Sequence, residues 1–179
     1  MDDNVNKGIK VDEKRNFVGR YFFRVDEKFR VAVPSSFRKI ITQESNHTLF
    51  LFPGPFKMIF VFTQSGWREF WDCLQRLYNP TRSPFNFQLM QLTQNTWDVS
   101  MDSLGRILIN EHLREYTGIT VGSEVVVMGF NDCFGIATKK VFEESIAKFS
   151  VEKIWQDLGV VIKLPREEKD GASSGENPS

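Results

Sequence analysis

Two arginines, each preceded by an aspartate four residues earlier, are the side chains of this sequence whose spacing is best suited to chemistry. The pairs are Asp26 with Arg30 and Asp102 with Arg106. A guanidinium this close keeps a carboxylate ionised, which makes acid–base catalysis a poor use of either aspartate. The guanidinium can instead form a local ion pair that holds a turn, or fork onto a phosphate or a guanine edge. The motif therefore indicates a structural turn or a nucleic-acid-binding one.

The motif belongs to a longer internal repeat. Residues 25–33 are echoed by residues 101–109, and the pair Phe37-Arg38 returns at the same offset as Leu113-Arg114. A unit this small cannot bury its own core, so we expect the two copies to fold against each other with pseudo-two-fold symmetry. Such a protein usually binds something repetitive or symmetric, and DNA is the leading candidate.

The remaining reactive residues do not form an enzyme-like set. The only histidines are His47 and His112, and the sequence has neither a Gly-x-Ser-x-Gly elbow nor a phosphate-binding glycine loop. Cys73 and Cys133 lie among apolar residues without a Cys or His at metal-ligand spacing, so we expect two reduced core thiols. The sequence therefore predicts no enzyme, no metal site and no cofactor.

Charge is balanced over the whole chain and uneven along it. The 179 residues include 23 basic and 23 acidic side chains, so any attraction for nucleic acid must come from a local patch. Residues 20–39 hold six basic side chains against two acidic ones, whereas the second copy is close to neutral. The first copy is therefore the better phosphate binder, with a solvated charged face as the alternative. Its basic residues are Arg20, Arg24, Lys28, Arg30, Arg38 and Lys39.

Neither a membrane span nor a signal peptide is predicted. No apolar run approaches the roughly 18 residues that cross a bilayer, and the first residues lack a basic and an apolar signal region. We therefore expect a cytoplasmic protein with no membrane partner. The aromatic runs at residues 21–23 and 58–62 indicate core or subunit interface rather than a platform for stacked bases.

The elements that must position the two turns follow from apolar spacing and turn residues. In the first copy we predict strands at 17–25, 30–33, 48–52 and 58–62, and a short helix after Pro34. In the second copy we predict a strand ending at Val99, strands at 106–109, 124–129 and 133–138, a helix opened by Asn110 and a helix from Lys139. Between the copies we predict an amphipathic helix with Ser65 as its N-cap, and a second helix at 85–93. The apolar face of the amphipathic helix consists of Trp67, Phe70, Trp71, Leu74, Leu77 and Tyr78.

The predicted organisation has six parts, with polar and weakly hydrophobic segments at both ends. They are a flexible N-terminal extension (1–16), a first repeat (17–64), a helical bridge (65–94), a second repeat (95–138), a C-terminal helical segment (139–162) and a disordered tail (163–179).

The doubled motif resembles the MraZ family of two-repeat transcriptional regulators over about residues 17–148. In the first copy the matching residues are Gly19, Val25, Asp26, Lys28, Arg30, Pro34, Phe37 and Arg38. In the second copy they are Asp102, Gly105, Arg106, Leu113, Arg114, Tyr116, Gly118 and Ile119.

The resemblance implies a mixed α+β, β-rich fold in which two AbrB-like swapped-hairpin modules form one pseudo-two-fold domain with flanking helices. It also implies a homo-oligomeric ring, commonly an octamer, that binds short direct repeats of double-stranded DNA. The repeats would lie upstream of the protein's own operon in a bacterial division and cell-wall gene cluster, which implies association with the nucleoid. Several weak contacts along the ring would together supply the affinity.

The candidate DNA-binding residues come from both lines of argument. Lys28 and Arg30 match the family's DNA-binding turn, and Arg106 is its counterpart in the second copy. Arg20 and Arg24 join them from the basic first copy. The turn-orienting residues are Asp26 and Asp102.

Two positions depart from the family's pattern. Phe29 stands where the family's Lys-Gly-Arg turn has glycine, and the usually arginine-rich bridge reads Arg82-Ser-Pro-Phe-Asn-Phe-Gln. Phenylalanine resists the positive φ that glycine adopts freely, so the first turn can differ in shape, or Phe29 can face a groove or a neighbour. The alternative functions are therefore an oligomeric protein-interaction regulator with weak DNA binding, or an AbrB-like antitoxin.

Overall fold

The fold is given by a computed structural model that describes residues 15–44, 47–77, 87–146 and 148. The first copy contains β1 (Arg20–Arg24), β2 (Arg30–Ala32), α1 (Ser35–Gln43), β3 (Thr48–Gly54) and β4 (Met58–Thr63). Two bridging helices follow, α2 (Gln64–Leu77) and α3 (Phe87–Gln94). The second copy contains β5 (Trp97–Ser100), β6 (Arg106–Leu108), α4 (Glu111–Thr117), β7 (Glu124–Gly129), β8 (Phe134–Thr138) and α5 (Lys139–Val141), followed by a π-helix (Phe142–Ile146). The predicted mixed α+β, β-rich class is confirmed.

The strands of the two copies are interleaved in one antiparallel sheet. Its order is β1-β7-β8-β4-β3-β5. Strands β1, β3 and β4 of the first copy correspond to β5, β7 and β8 of the second, so the order is symmetric about the central pair β8-β4. The outer strand β1 of the first copy pairs with β7 of the second, and β5 of the second copy pairs with β3 of the first. Neither copy therefore completes its own sheet.

The short strands β2 and β6 form a separate two-stranded ribbon at the pseudo-two-fold axis. Val31 lies opposite Ile107, its own equivalent in the other copy. The ribbon is extended at both ends by equivalent hydrogen bonds, from Val33 N to Gly105 O at 2.8 Å and from Ile109 N to Phe29 O at 3.0 Å. This pairing places the two predicted turns side by side.

The main core lies between one face of the large sheet and a layer formed by the ribbon, α1 and α4. Alternate strand residues face inward, because successive side chains of a strand point to opposite faces. The largest side chains of this core, each under 2% exposed, include Phe17, Phe37, Ile41, Leu49, Leu51, Ile59, Ile107, Ile109, Leu113, Phe134 and Ile136. The core draws on both copies, so the copies stabilise each other.

The opposite face of the sheet is covered differently on its two halves. Over β3 and β4, α2 places Trp67 and Phe70 against Phe52 and Phe62, with the Phe62 and Phe70 ring centroids 5.0 Å apart. The predicted amphipathic helix is confirmed by this packing. Over the other half, Phe142 of the π-helix packs with residues of β7 and β8 in a second, smaller apolar cluster.

Two local predictions were wrong. Ser65 does not cap α2, which begins at Gln64; the Thr63 hydroxyl accepts from Gly66 N at 3.2 Å, and Ser65 bonds instead to Arg15 and Glu44. Cys73 of α2 is not a core thiol, because it is exposed. Cys133 is partly buried, and desolvation together with the nearby Asp132 charge raises the pKa of its thiol to about 11.

Several predicted segments lie outside the described residues. These are most of the N-terminal extension, the part of the bridge that contains Tyr78 and Arg82, and the tail at 163–179; the C-terminal helical segment is described through residue 146 and at residue 148. Within the described ranges, no helix combines the length and apolar character that crossing a bilayer requires.

Replacing Phe37 with alanine should lower the free energy of unfolding by about 3–5 kcal/mol, the usual cost of emptying an aromatic core site. Phe37 is 1% exposed, and its ring lies 5.2 Å from that of Phe17 and 5.3 Å from that of Phe134. Urea denaturation at fixed protein concentration measures the loss. Phe56→Ala is the control, because Phe56 is 54% exposed, and it should cost less than about 0.5 kcal/mol. Equal losses at both positions would contradict this assignment of the core.

Candidate functional site

The two Asp-x-x-x-Arg segments form turns with the same hydrogen bonds. Asp26 Oδ1 accepts from the backbone N–H groups of Lys28 and Arg30, both at 2.9 Å. Asp102 Oδ1 accepts in the same way from Leu104 N at 3.0 Å and Arg106 N at 2.9 Å. Each aspartate therefore closes its own turn.

Across the ribbon, the two aspartates and two arginines form one network, which we call the Asp–Arg tetrad (Asp26, Arg30, Asp102, Arg106). Within a turn, Arg30 Nε lies 2.8 Å from Asp26 Oδ2, and Arg106 Nη2 lies 2.8 Å from Asp102 Oδ2. Between turns, Arg30 Nη1 lies 3.4 Å from Asp102 Oδ2, and Arg106 Nη1 lies 3.5 Å from Asp26 Oδ2. Each carboxylate is thus shared by both arginines.

The tetrad keeps both aspartates ionised. The backbone hydrogen bond from Arg30 is the main cause that lowers the pKa of Asp26, and the Arg30 side chain adds to it. For Asp102, the side-chain hydrogen bond from Arg106 is the main cause that lowers the pKa. Partial burial opposes both shifts without cancelling them. The four charges sum to zero, so the tetrad is a neutral unit.

Arg30 is partly buried in the tetrad. Its side chain is 26% exposed, the same as that of Arg106. The reason is the partner turn, which brings Asp102 to Arg30 from another part of the chain. Arg30 Nη2 has no acidic partner among the described residues, whereas all three guanidinium nitrogens of Arg106 contact a carboxylate.

Phe29 faces a neighbour while the first turn keeps its shape. Its φ is 57°, in the left-handed region where Gly105 also lies, at 74°. Phe29 N donates to Asp26 O at 3.0 Å, just as Gly105 N donates to Asp102 O at 2.9 Å. The Phe29 ring packs against the core and under the guanidinium of Arg114, whose central carbon lies 3.6 Å from the ring centroid. These contacts offset a backbone conformation that costs about 1–2 kcal/mol for a residue with a side chain.

The other predicted site residues lie in two places. Lys28 is exposed at the tip of the first turn and has no acidic partner in the described part of the chain. Arg20 and Arg24 are on the face of β1 turned away from the core, where Arg20 lies over the Phe142 ring and Arg24 Nη2 lies 3.5 Å from Glu124. The structure therefore brings Lys28 beside the tetrad and does not place Arg20 or Arg24 in it.

Arg38 is a residue of this region that the sequence did not single out. It comes from α1 of the first copy, but its Nη1 donates to Leu104 O of the second turn at 3.2 Å. A Cβ placed on Gly105 would lie 2.2 Å from that nitrogen, so the glycine makes room for Arg38. The signals in the sequence were the repetition of Phe37-Arg38 as Leu113-Arg114 and the place of Arg38 among the basic residues of the first copy.

Comparison with known proteins gives consistent matches along most of the chain. The model of a family described as "MraZ protein, putative antitoxin-like" matches residues 92–157. A protein of Dictyoglomus thermophilum named transcriptional regulator MraZ is 31% identical over 133 residues, which are 72% of this chain and 83% of that protein. The chain belongs to the MraZ family.

Further MraZ proteins extend the match. Proteins with the same name from Delftia acidovorans and Dehalococcoides mccartyi are 28% and 29% identical, over 77% and 78% of this chain and 93% and 94% of theirs. All three are named as regulators and none as an enzyme. These matches confirm the resemblance to the MraZ family that the doubled motif indicated.

Acid should weaken the fold through the tetrad. Because the folded-state pKa of Asp26 is lowered, its contribution to stability is complete above the ordinary carboxyl pKa of about 4 and is lost as the pH falls through the lowered value. Asp26→Asn should therefore reduce stability at neutral pH and flatten its fall below pH 4. Thermal unfolding from pH 7 to pH 2 measures this, with the exposed Asp98→Asn as control. If the melting temperature of Asp26→Asn fell as steeply with decreasing pH as that of the wild type, the tetrad would not be the source of this pH dependence.

Proposed function

We propose that this protein is a sequence-specific DNA-binding transcriptional regulator of its own operon in a bacterial division and cell-wall gene cluster. Membership of the MraZ family and the names of its relatives support the regulatory role. A regulator bound to promoter DNA would lie at the nucleoid.

The observation that carries the proposal is the ribbon formed by β2 and β6. A two-stranded antiparallel ribbon fits the major groove of B-DNA, which is about 12 Å wide. Because Val31 and Ile107 face the core, the alternate residues face outward, with Arg30 opposite Leu108 and Ala32 opposite Arg106. The outward face thus carries both arginines of the tetrad.

The charges around the ribbon suit a polyanion. The tetrad is neutral, so the local positive charge comes from residues beside it, such as Lys28 at the tip of the first turn. Lys28 would bind a phosphate as a point charge, and Nη2 of Arg30 and the exposed part of the Arg106 side chain would meet phosphate or base edges. Asp26 and Asp102 would hold the arginines in place. Arg20 and Arg24 would contribute only to the wider field around the bound DNA, because they lie on the other face of the sheet.

The ring is the second part of the proposal. One ribbon offers few contacts, so one subunit would bind weakly, and several subunits of a homo-oligomeric ring such as an octamer would bind successive direct repeats. The exchange of β1 and β5 between the copies supports two AbrB-like swapped-hairpin modules within each subunit. Under this proposal the two repeats span residues 17–64 and 95–138.

An oligomeric regulator that binds another protein is the second candidate. Exposed apolar side chains favour it, because the ribbon carries Leu104 and Leu108, 64% and 50% exposed, and the far side of the sheet carries Phe22, 54% exposed. An antitoxin role is a special case of this candidate, in line with the antitoxin-like description of the family.

DNA binding over a salt series decides between the two candidates. The purified protein should prefer DNA from upstream of its own gene over a scrambled sequence, and the affinity should fall steeply with salt because bound phosphates release counterions. Fluorescence anisotropy from about 50 to 300 mM salt measures both effects. Equal and weak binding to the two DNAs would favour the protein-binding candidate.

Arg30→Ala should weaken binding to the native DNA by about tenfold or more, the usual cost of removing a bidentate arginine contact. It should also lower the melting temperature, because it leaves Asp26 and Asp102 to share one arginine. Anisotropy well below the melting temperature separates the two effects. Arg68→Ala, at an exposed position of α2, should change neither. Wild-type DNA affinity in Arg30→Ala would exclude Arg30 from the interface.

A further inference from the structure

Each turn of the ribbon has an arginine from the other copy lying on it. Arg38 lies on the second turn and Arg114 lies on the first, and the two arginines occupy equivalent positions of the repeat. Their surroundings differ because the first turn contains Phe29 where the second contains Gly105. One pair of equivalent side chains is therefore held in two different ways.

Arg114 is held by the Phe29 ring. Its guanidinium carbon lies 3.6 Å from the centroid of the Phe29 ring, close enough for a strong cation–π contact. Its Nε is buried and has no hydrogen-bond partner among the described residues. The Phe29 ring in turn packs against the core. Reaching outward would require Arg114 to leave this ring.

Arg38 has no such restraint. Gly105 offers no side chain, and Arg38 lies directly on the turn, where its Nη1 donates to Leu104 O at 3.2 Å. A guanidinium has about five N–H donors. The hydrogen bond to Leu104 uses one of them, and no acidic side chain in the described part of the chain pairs with Arg38. Among the described residues, the charge of Arg38 has no acidic partner and its other donors have no hydrogen-bond partner, although the side chain is partly buried.

We propose that Arg38 is an additional phosphate-binding residue of the ribbon face and that Phe29 withholds its counterpart Arg114, so that the first turn grips DNA through Lys28 and the second through Arg38. This inference rests on the proposed DNA-binding function. A ribbon with two equal turns would fit a site equally well in both directions along the duplex. Turns that differ let the ribbon fit its site in only one direction along the duplex. Successive subunits of a ring that bind in the same direction then fit direct rather than inverted repeats.

The salt dependence of DNA binding tests whether Arg38 binds a phosphate and Arg114 does not. The slope of log affinity against log salt changes by about 0.9 for each phosphate that the protein ceases to neutralise. Arg38→Ala should reduce the slope by about this amount for each subunit that contacts the DNA. Arg114→Ala, the matched control at the equivalent position, should leave the slope unchanged. Arg38→Lys keeps the charge and should retain the slope.

Phe29→Gly tests the withholding role of the ring. This change makes the first turn resemble the second, so Arg114 should become available and the slope should steepen by about 0.9 per bound subunit. Adding Arg114→Ala to Phe29→Gly should abolish the gain. Circular dichroism melting and elution volume check that each variant remains folded and assembled at the temperature of the binding assay.

The outcomes separate this inference from the proposed function. Wild-type protein that binds no DNA overturns the proposed function, and with it the phosphate role of Arg38. DNA binding with a wild-type slope in Arg38→Ala, or with an equal loss in Arg38→Ala and Arg114→Ala, overturns this inference alone. A reduced slope in Arg38→Ala, with Arg114→Ala unchanged and a gain in Phe29→Gly, supports it.

Discussion

Pairing of the two copies through β2 and β6 is the constraint on which the candidate site and much of the core depend. Strands of three residues are too short to be stable alone. They pair because Val31 and Ile107 are both fully buried and because the Asp–Arg tetrad closes across the ribbon. The same pairing sets the two turns beside each other. One arrangement therefore completes the core and assembles the Asp–Arg tetrad.

The tetrad shows how a partly buried ionic group can fix a geometry without supplying net charge. Each carboxylate is satisfied by two backbone N–H groups and two arginines, so its partial burial leaves no lone pair unmet. The network restricts both arginine side chains and fixes their orientation on the outward face of the ribbon.

Departure from symmetry comes from a few residues. Phe29 adopts the backbone conformation of Gly105 and brings a ring that captures Arg114, whereas Gly105 leaves its space to Arg38. The outer face of the sheet differs in the same way, because α2 covers β3 and β4 with an aromatic stack while a short π-helix and Phe142 cover the other half. The backbone keeps the two-fold plan, and side chains make the halves unequal.

Features that depend on residues close together in the chain were predictable from the sequence by itself. The repeat, the types of the elements, the capping of α4 by Asn110 and the family were all evident, since they follow from residue types at short spacing. The tertiary structure alone decided which strands pair, that Arg30 meets Asp102 from 72 positions away, that Arg38 reaches the second turn, and that Cys73 faces solvent. These pairings and contacts depend on how the two copies exchange strands, and the order of residues along the chain does not show which distant residues become neighbours.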